Sequence, residues 1–262
     1  MSTAAFTLSK YEQEMKGKVR DSTLHMYVFS LRDFFKFMSG SGMNSVSAQS
    51  YVDALAAKGL SPSTVSLRAH AIMSYFRWRK HEIHLDCPSI VMKKPEYLKQ
   101  PEIDKLISFC ADQQELTIIV VLYDTAVRIS ELLNLTLKDI DWDAKTILVT
   151  RKGGRQDEVN ISDKALVELK KWLSSRHGES DKVFLGLDYY TTWLMLKDLG
   201  KRANINNMHP HILRHSRAIA MLRGGAKPFV VQQHLGHKSI TTTMNIYGMF
   251  MASDLKAEIP QW

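Results

Sequence analysis

Residues 199 to 253 contain no aspartate or glutamate, yet they carry Lys201, Arg202, Arg214, Arg217, Arg223, Lys227, Lys238 and five histidines. Such a segment lacks the carboxylate oxygens that hold catalytic divalent cations. It suits an anion gripped by guanidinium forks and imidazoles. Within it, HPHILRHS sets His211 and Arg214 three residues apart, so on a helix they share a face. His211 and His215, four apart, have a spacing that could share a metal. However, no Glu stands where HExxH would put one, and Arg214 would sit beside the cation. Further on, HLGHKSITTTMNIYGMF places Tyr247 ten residues after His237. That tyrosine is either a core aromatic or a nucleophile. Upstream, Arg128 in DTAVRISELLNL is expected on a largely buried helix, where it needs an anion and Glu131 lies three residues on. Lys152 in TRKGGR is expected at a hairpin tip, either as an exposed turn lysine or as an ammonium reaching a ligand.

Helices must position most of these groups. In KVRDSTLHMYVFSLRDFFKFMSG, Leu24, Val28, Leu31, Phe35 and Met38 recur at helical spacing, between an N-cap at Ser22 and a stop at Gly40. GLSPSTVSLRAHAIMSYFRWRK opens with an N-cap at Ser61 and Pro62 at the first helical position, then runs a stripe of Val65, Ala69, Ile72 and Phe76. Pro88, Pro95 and Pro101 interrupt a stretch without amphipathic period, which predicts a linker over 91–101. Helical patterns return from Glu102. TILVTRKGGRQDEVNIS reads as a hairpin turning at Gly153-Gly154, and helices resume at Asp163. The expected fold is mainly α with a small antiparallel β element, in two domains over 1–90 and 102–262.

The chain has 262 residues, a net charge of +8 and a pI near 9.3, which points to a polyanionic partner. Residues 1–95 hold a net +6 of that excess and the remainder only +2. Arg68, Arg77, Arg79 and Lys80 belong to one basic helix, either simply solvated or facing nucleic acid. The opening MSTAAFTLSK is not expected to be a signal peptide, and LTIIVVLY is far too short to span a bilayer. Cys87 and Cys110 are the only cysteines, consistent with free thiols in a reducing cytoplasm.

Taken in order, TAVRISELLNL, the lysine of RKGGR, HPHILRHS and HLGHKSITTTMNIYGMF resemble the tyrosine recombinase (phage integrase) family, especially its compact Xer-like members. The resemblance spans most of 100–250 and is most specific in LRHS and in LGH followed by TT and Tyr. The helical pattern before residue 90 is similar, more loosely, to the family's core-binding domain. The resemblance implies that Arg128, Lys152, His211, Arg214 and His237 serve catalysis around the nucleophile Tyr247. It implies DNA binding by the N-terminal helices, here through Ser63, Thr64, Arg68, Arg77, Arg79 and Lys80. It further implies double-stranded DNA with a specific recombination site, four copies assembled on that DNA, no membrane, and neither ATP nor metal as cofactor. One departure is Ala126, where the family usually has glycine ahead of the arginine.

Three alternatives stay open at this level. A topoisomerase IB-like relaxing enzyme would share the chemistry, and a non-catalytic DNA-binding protein would share the scaffold. A metal-dependent nuclease is disfavoured by the missing carboxylates. The tail after Tyr247 (Phe250, Met251, Leu255, Ile259, Trp262) would pack on its own domain or on a neighbouring subunit.

Overall fold

A computed structural model describes residues 3–38, 42–91, 96–151, 153–176, 178, 180–236 and 248. Lys152, His237, Tyr247 and the C-terminal apolar series lie outside the described residues, as do Gly40 and Pro95. The chain falls into two compact units, Met1–Met92 and Lys93–Trp262.

Among the described residues, the first unit contains four helices: α1 (Thr3–Met15), α2 (Asp21–Phe37), α3 (Ser45–Ala57) and α4 (Pro62–Trp78). The apolar stripes define its core. Leu24, Val28, Leu31 and Phe34 of α2 meet Tyr51, Val52 and Leu55 of α3 and Val65, Ala69, Ile72 and Phe76 of α4. Each large side chain so buried contributes about 1.5–3 kcal/mol. Tyr11 of α1 closes the bundle, with its hydroxyl 2.9 Å from Ser74 Oγ and its ring edge-on to Tyr75 and Trp78. The expected start of α4 is in place: Ser61 Oγ accepts the Thr64 N–H at 3.2 Å, ahead of Pro62. The expected cap of α2 is not. That helix begins at Asp21, placing Ser22 inside its first turn, and Arg20 at the N-cap makes no side-chain cap. Asp21 in the first turn instead complements the positive end of the helix dipole.

The second unit begins with α5 (Gln100–Ser108), α6 (Gln113–Thr125) and α7 (Ile129–Leu133). Pro101 belongs to α5 rather than to the linker, because the first turn of a helix has no use for its N–H. Three antiparallel strands follow in the order β1 (Ile140–Asp141), β2 (Thr146–Thr150) and β3 (Gln156–Asn160), with Ile147 opposite Val159 and Thr150 opposite Gln156. The β2–β3 hairpin is the one the sequence predicts, and Gly153 and Gly154 both hold the positive φ its turn requires (102° and 82°). Four helices complete the described part: α8 (Asp163–Ser175), α9 (Tyr189–Arg202), α10 (Pro210–Arg223) and α11 (Pro228–Leu235). The core joins Ile118, Val121 and Leu122 of α6, Leu132 of α7, Ile147 and Val149 of β2, Leu169 of α8, Leu196 and Leu199 of α9, and Leu213 of α10. Among the described residues, no helix is long and apolar enough to cross a membrane.

Candidate active site

The site starts from a break in a helix. Helix α6 ends where Ala126 adopts a left-handed conformation (φ 51°, ψ 23°), and Arg128, extended at φ −74° and ψ 148°, then caps α7. This corrects the expectation that Arg128 lies within a buried helix. It stands at a junction between two helices, with its side chain 32% exposed. Apolar residues continue through the junction, so periodicity alone does not reveal the kink.

Glu131 is the expected partner of Arg128, but it is shared. Its Oε2 accepts the Arg128 backbone N–H at 2.8 Å, and its Oε1 accepts Arg128 Nη1 at 2.7 Å. The same Oε2 accepts Nη1 of Arg151 at 2.7 Å. One buried carboxylate therefore lies between two guanidiniums. Arg151 continues outward to Asp157 through Nε at 3.1 Å, and Asp157 also accepts from Arg155. The charges alternate along this chain, and it begins and ends on cations.

Helix α10 supplies the third guanidinium. Arg214 is 5% exposed and donates from Nη1 to the Ala126 carbonyl and from Nη2 to the Leu235 carbonyl, both at 2.6 Å. Neither acceptor carries a full charge. Burial, followed by the neighbouring charge of Arg128, pushes the Arg214 pKa down to about 9, against a partial offset from Glu131. It remains protonated at neutral pH and lacks a counter-anion among the described residues.

His211, one turn before Arg214 on the same helix face, reaches the surface. Partial desolvation, then the charges of Arg214, His209 and Arg128, lower its pKa, so the imidazole is neutral at pH 7. His215 sits with its ring centroid 6.4 Å from that of His211. Burial, then the charges of His211, Arg214 and His209, depress its pKa to about 4. Among the described residues, no three His, Cys, Asp or Glu side chains gather as metal ligands.

Two arginines also hold the end of α11. The last two carbonyls of that helix, His234 and Leu235, accept from Arg151 Nη2 (3.1 Å) and Arg214 Nη2. Cations on orphan carbonyls complement the negative end of the helix dipole. Gly236 then turns left-handed (φ 65°) and leads into the segment that carries His237 and Tyr247.

Residues 96–250 match the model of the phage integrase family. The chain belongs to that family. Tyrosine recombinase XerA of Pyrococcus furiosus is 32% identical to this chain over 261 residues, covering 94% of it and 89% of the relative. XerA of Pyrococcus horikoshii is 30% identical, with 94% and 89% covered. A crystal structure of XerA recombinase superposes with a TM-score of 0.58 at 26% identity, covering 98% and 99% of the two chains. XerH bound to palindromic difH in a post-cleavage complex shares the fold, with a TM-score of 0.74 at 20% identity over 90% and 79%. The chain is a Xer-like tyrosine recombinase, an enzyme of site-specific recombination.

Three of the six catalytic candidates of this recombinase, Arg128, His211 and Arg214, are described, and they lie within one another's electrostatic influence. The N-terminal candidates do not form one cluster. Ser63 and Thr64 hydrogen-bond Ser61 in the first turn of α4 (3.0 and 2.8 Å). Arg77, Arg79 and Lys80 are exposed at the other end, about 20 Å along the axis. Arg68 lies between and is committed to protein: its Nη1 donates to Asp33 Oδ2 at 2.5 Å and its guanidinium lies 5.5 Å from the Phe29 ring centroid.

Sequence reasoning missed Arg151 and Gly236 in this recombinase, although a signal for Arg151 was present. In TILVTR the alternation that buries Ile147 and Val149 also turns residue 151 inward, and a buried arginine demands carboxylates.

Proposed function

We propose that the chain cuts and rejoins double-stranded DNA at a specific recombination site through a 3′-phosphotyrosyl intermediate. The observation that carries this reading is Arg214: a buried guanidinium bonded only to main-chain carbonyls, beside an Arg128 that has half of one carboxylate. A phosphodiester supplies the anion such a site lacks. Arg128 and Arg214 take its non-bridging oxygens and stabilise the charge of the pentacoordinate transition state. His211, neutral at pH 7, accepts the phenolic proton of Tyr247, and His237 hydrogen-bonds the phosphate. The Tyr247 oxygen forms a bond to phosphorus while the bond to the 5′-oxygen breaks, and Lys152 protonates that oxygen as it leaves. Attack by another strand's 5′-hydroxyl reverses the step, so the bond energy is conserved and neither ATP nor metal is needed.

Residues 1–90 serve in this scheme as a DNA core-binding domain and 102–262 as the catalytic domain. Ser63, Thr64, Arg77, Arg79 and Lys80 contact DNA, and Arg68 holds the fold of that surface through Asp33. Four copies assemble on paired sites, in the cytoplasm with the DNA. The names of the relatives, and the DNA-bound states of structures sharing the fold, support this reading.

The test is to incubate the protein with fragmented genomic DNA of its host, denature, and sequence the DNA that remains attached. Wild type should trap a discrete site. Tyr247→Phe should still bind that site and leave no covalent species; an adduct persisting in this variant would overturn the proposal.

A further inference from the structure

The alternating chain of charges converges on one residue. Arg151 is 4% exposed, and its guanidinium is spent on three elements: Glu131 at the start of α7 (2.7 Å), Asp157 on β3 (3.1 Å) and the His234 carbonyl at the end of α11 (3.1 Å). Its backbone N–H donates to the Arg155 carbonyl at 2.7 Å and closes the base of the hairpin. The Gly236 backbone packs against the same guanidinium, so closely that an added Cβ would come within 2.6 Å of Nε and 2.8 Å of Cζ. Catalytic candidates lie next to this network in sequence or share a group with it. Lys152 follows Arg151, His237 follows Gly236, and Arg128 shares the Glu131 carboxylate.

We propose that Arg151 is a positioning residue for strand cleavage, tying the hairpin that carries Lys152 to the α7 cap that carries Arg128. The inference rests on the reading of Lys152 as the general acid. Arg151 is buried and each of its three side-chain nitrogens is engaged by a protein group, so in this proposal it acts through Lys152 and not by contact with DNA. A lysine in its place would keep the charge beside Glu131 but lose the fork that spans three partners.

Single-turnover cleavage of the trapped site should be measured for wild type, Arg151→Lys, Arg151→Met and Lys152→Ala. Two substrates are needed, the natural phosphodiester and one with a 5′-bridging sulfur, whose leaving group needs no proton. Melting curves and DNA affinity provide the check on folding. Both Arg151 variants should cleave the natural strand about 100-fold more slowly, the scale set by misplacing a catalytic group by an ångström. Both should recover to within about tenfold of wild type on the sulfur substrate, as Lys152→Ala should. Arg151→Lys keeps a paired charge in the interior and serves if the methionine variant does not fold. Wild-type cleavage of the natural strand by a folded variant would overturn the proposal, as would equal slowing on both substrates. Failure of wild type to form any adduct, or of Lys152→Ala to be rescued, would instead overturn the reading of the site itself.

Discussion

Gly236 lies against the guanidinium of Arg151, in a left-handed conformation (φ 65°) that disfavours any side chain. Two penalties therefore coincide at one position. A Cβ in the left-handed region costs about 1–2 kcal/mol. Overpacking against a group that three hydrogen bonds hold in place adds about 1–3 kcal/mol. Gly236→Ala should lose about 3 kcal/mol in urea denaturation. A variant as stable as wild type would mean that Arg151 yields freely and clamps nothing.

The elements that position the site were largely legible, because the signals were local. Ser61-Pro62 starts α4, Gly153-Gly154 turns the hairpin, and HxxR puts His211 and Arg214 on one face of α10. What escaped was set by tertiary contacts. The kink at Ala126 leaves the apolar pattern of α6 and α7 unbroken, so Arg128 looked like a mid-helix residue. Arg151 drew no reading of its own because its neighbours Lys152 and Gly153 are turn residues, although the β2 alternation extends to it. Glu131 was legible as a partner of Arg128 but not as a shared one, since its second guanidinium arrives from a strand 20 residues away.

Ala126 itself gives a test of opposing terms. Ala126→Gly removes the left-handed penalty of about 1–2 kcal/mol. It also loses a buried methyl, worth about 0.8 kcal/mol, among Ala218, Val231 and Leu235. The freer unfolded chain costs about 0.4–1 kcal/mol more. The stability of Ala126→Gly should therefore stay within about 1 kcal/mol of wild type. Ala126→Val, branched at Cβ in the same backbone conformation, should lose well over 2 kcal/mol, on the scale of combined strain and overpacking. Equal stability of the two variants in urea would contradict the left-handed turn.

Glu131→Gln keeps the shape but removes the one carboxylate between Arg128 and Arg151. Breaking a buried ion pair from one side costs about 3–5 kcal/mol. Arg128, left without a carboxylate, and Arg151, left with Asp157 alone, should then recruit an external anion. Phosphate at tens of millimolar should raise the melting temperature of the variant more than that of wild type. A stability loss that phosphate leaves unchanged would argue against a cation-rich pocket at this position.

His215 links the same cluster to pH. Burial, reinforced by His211, Arg214 and His209, holds its folded-state pKa near 4, whereas in the unfolded chain it titrates near 6.5. Between those values the unfolded chain binds the proton and the folded protein does not. The contribution of His215 is thus complete above pH 6.5 and is lost as pH falls towards 4. His209, His211 and His234 are lowered in the same direction, so wild type should lose stability steeply over this window. His215→Gln should flatten that slope by up to about 1.4 kcal/mol per pH unit, the value for one proton. The measurement is a series of urea midpoints from pH 7 to about 4.5, above the range where Asp157 and Glu168, both lowered, begin to protonate. An unchanged slope in the variant would show that His215 titrates in the folded protein much as it does in the unfolded chain, and that burial beside His211 and Arg214 does not hold its ring neutral.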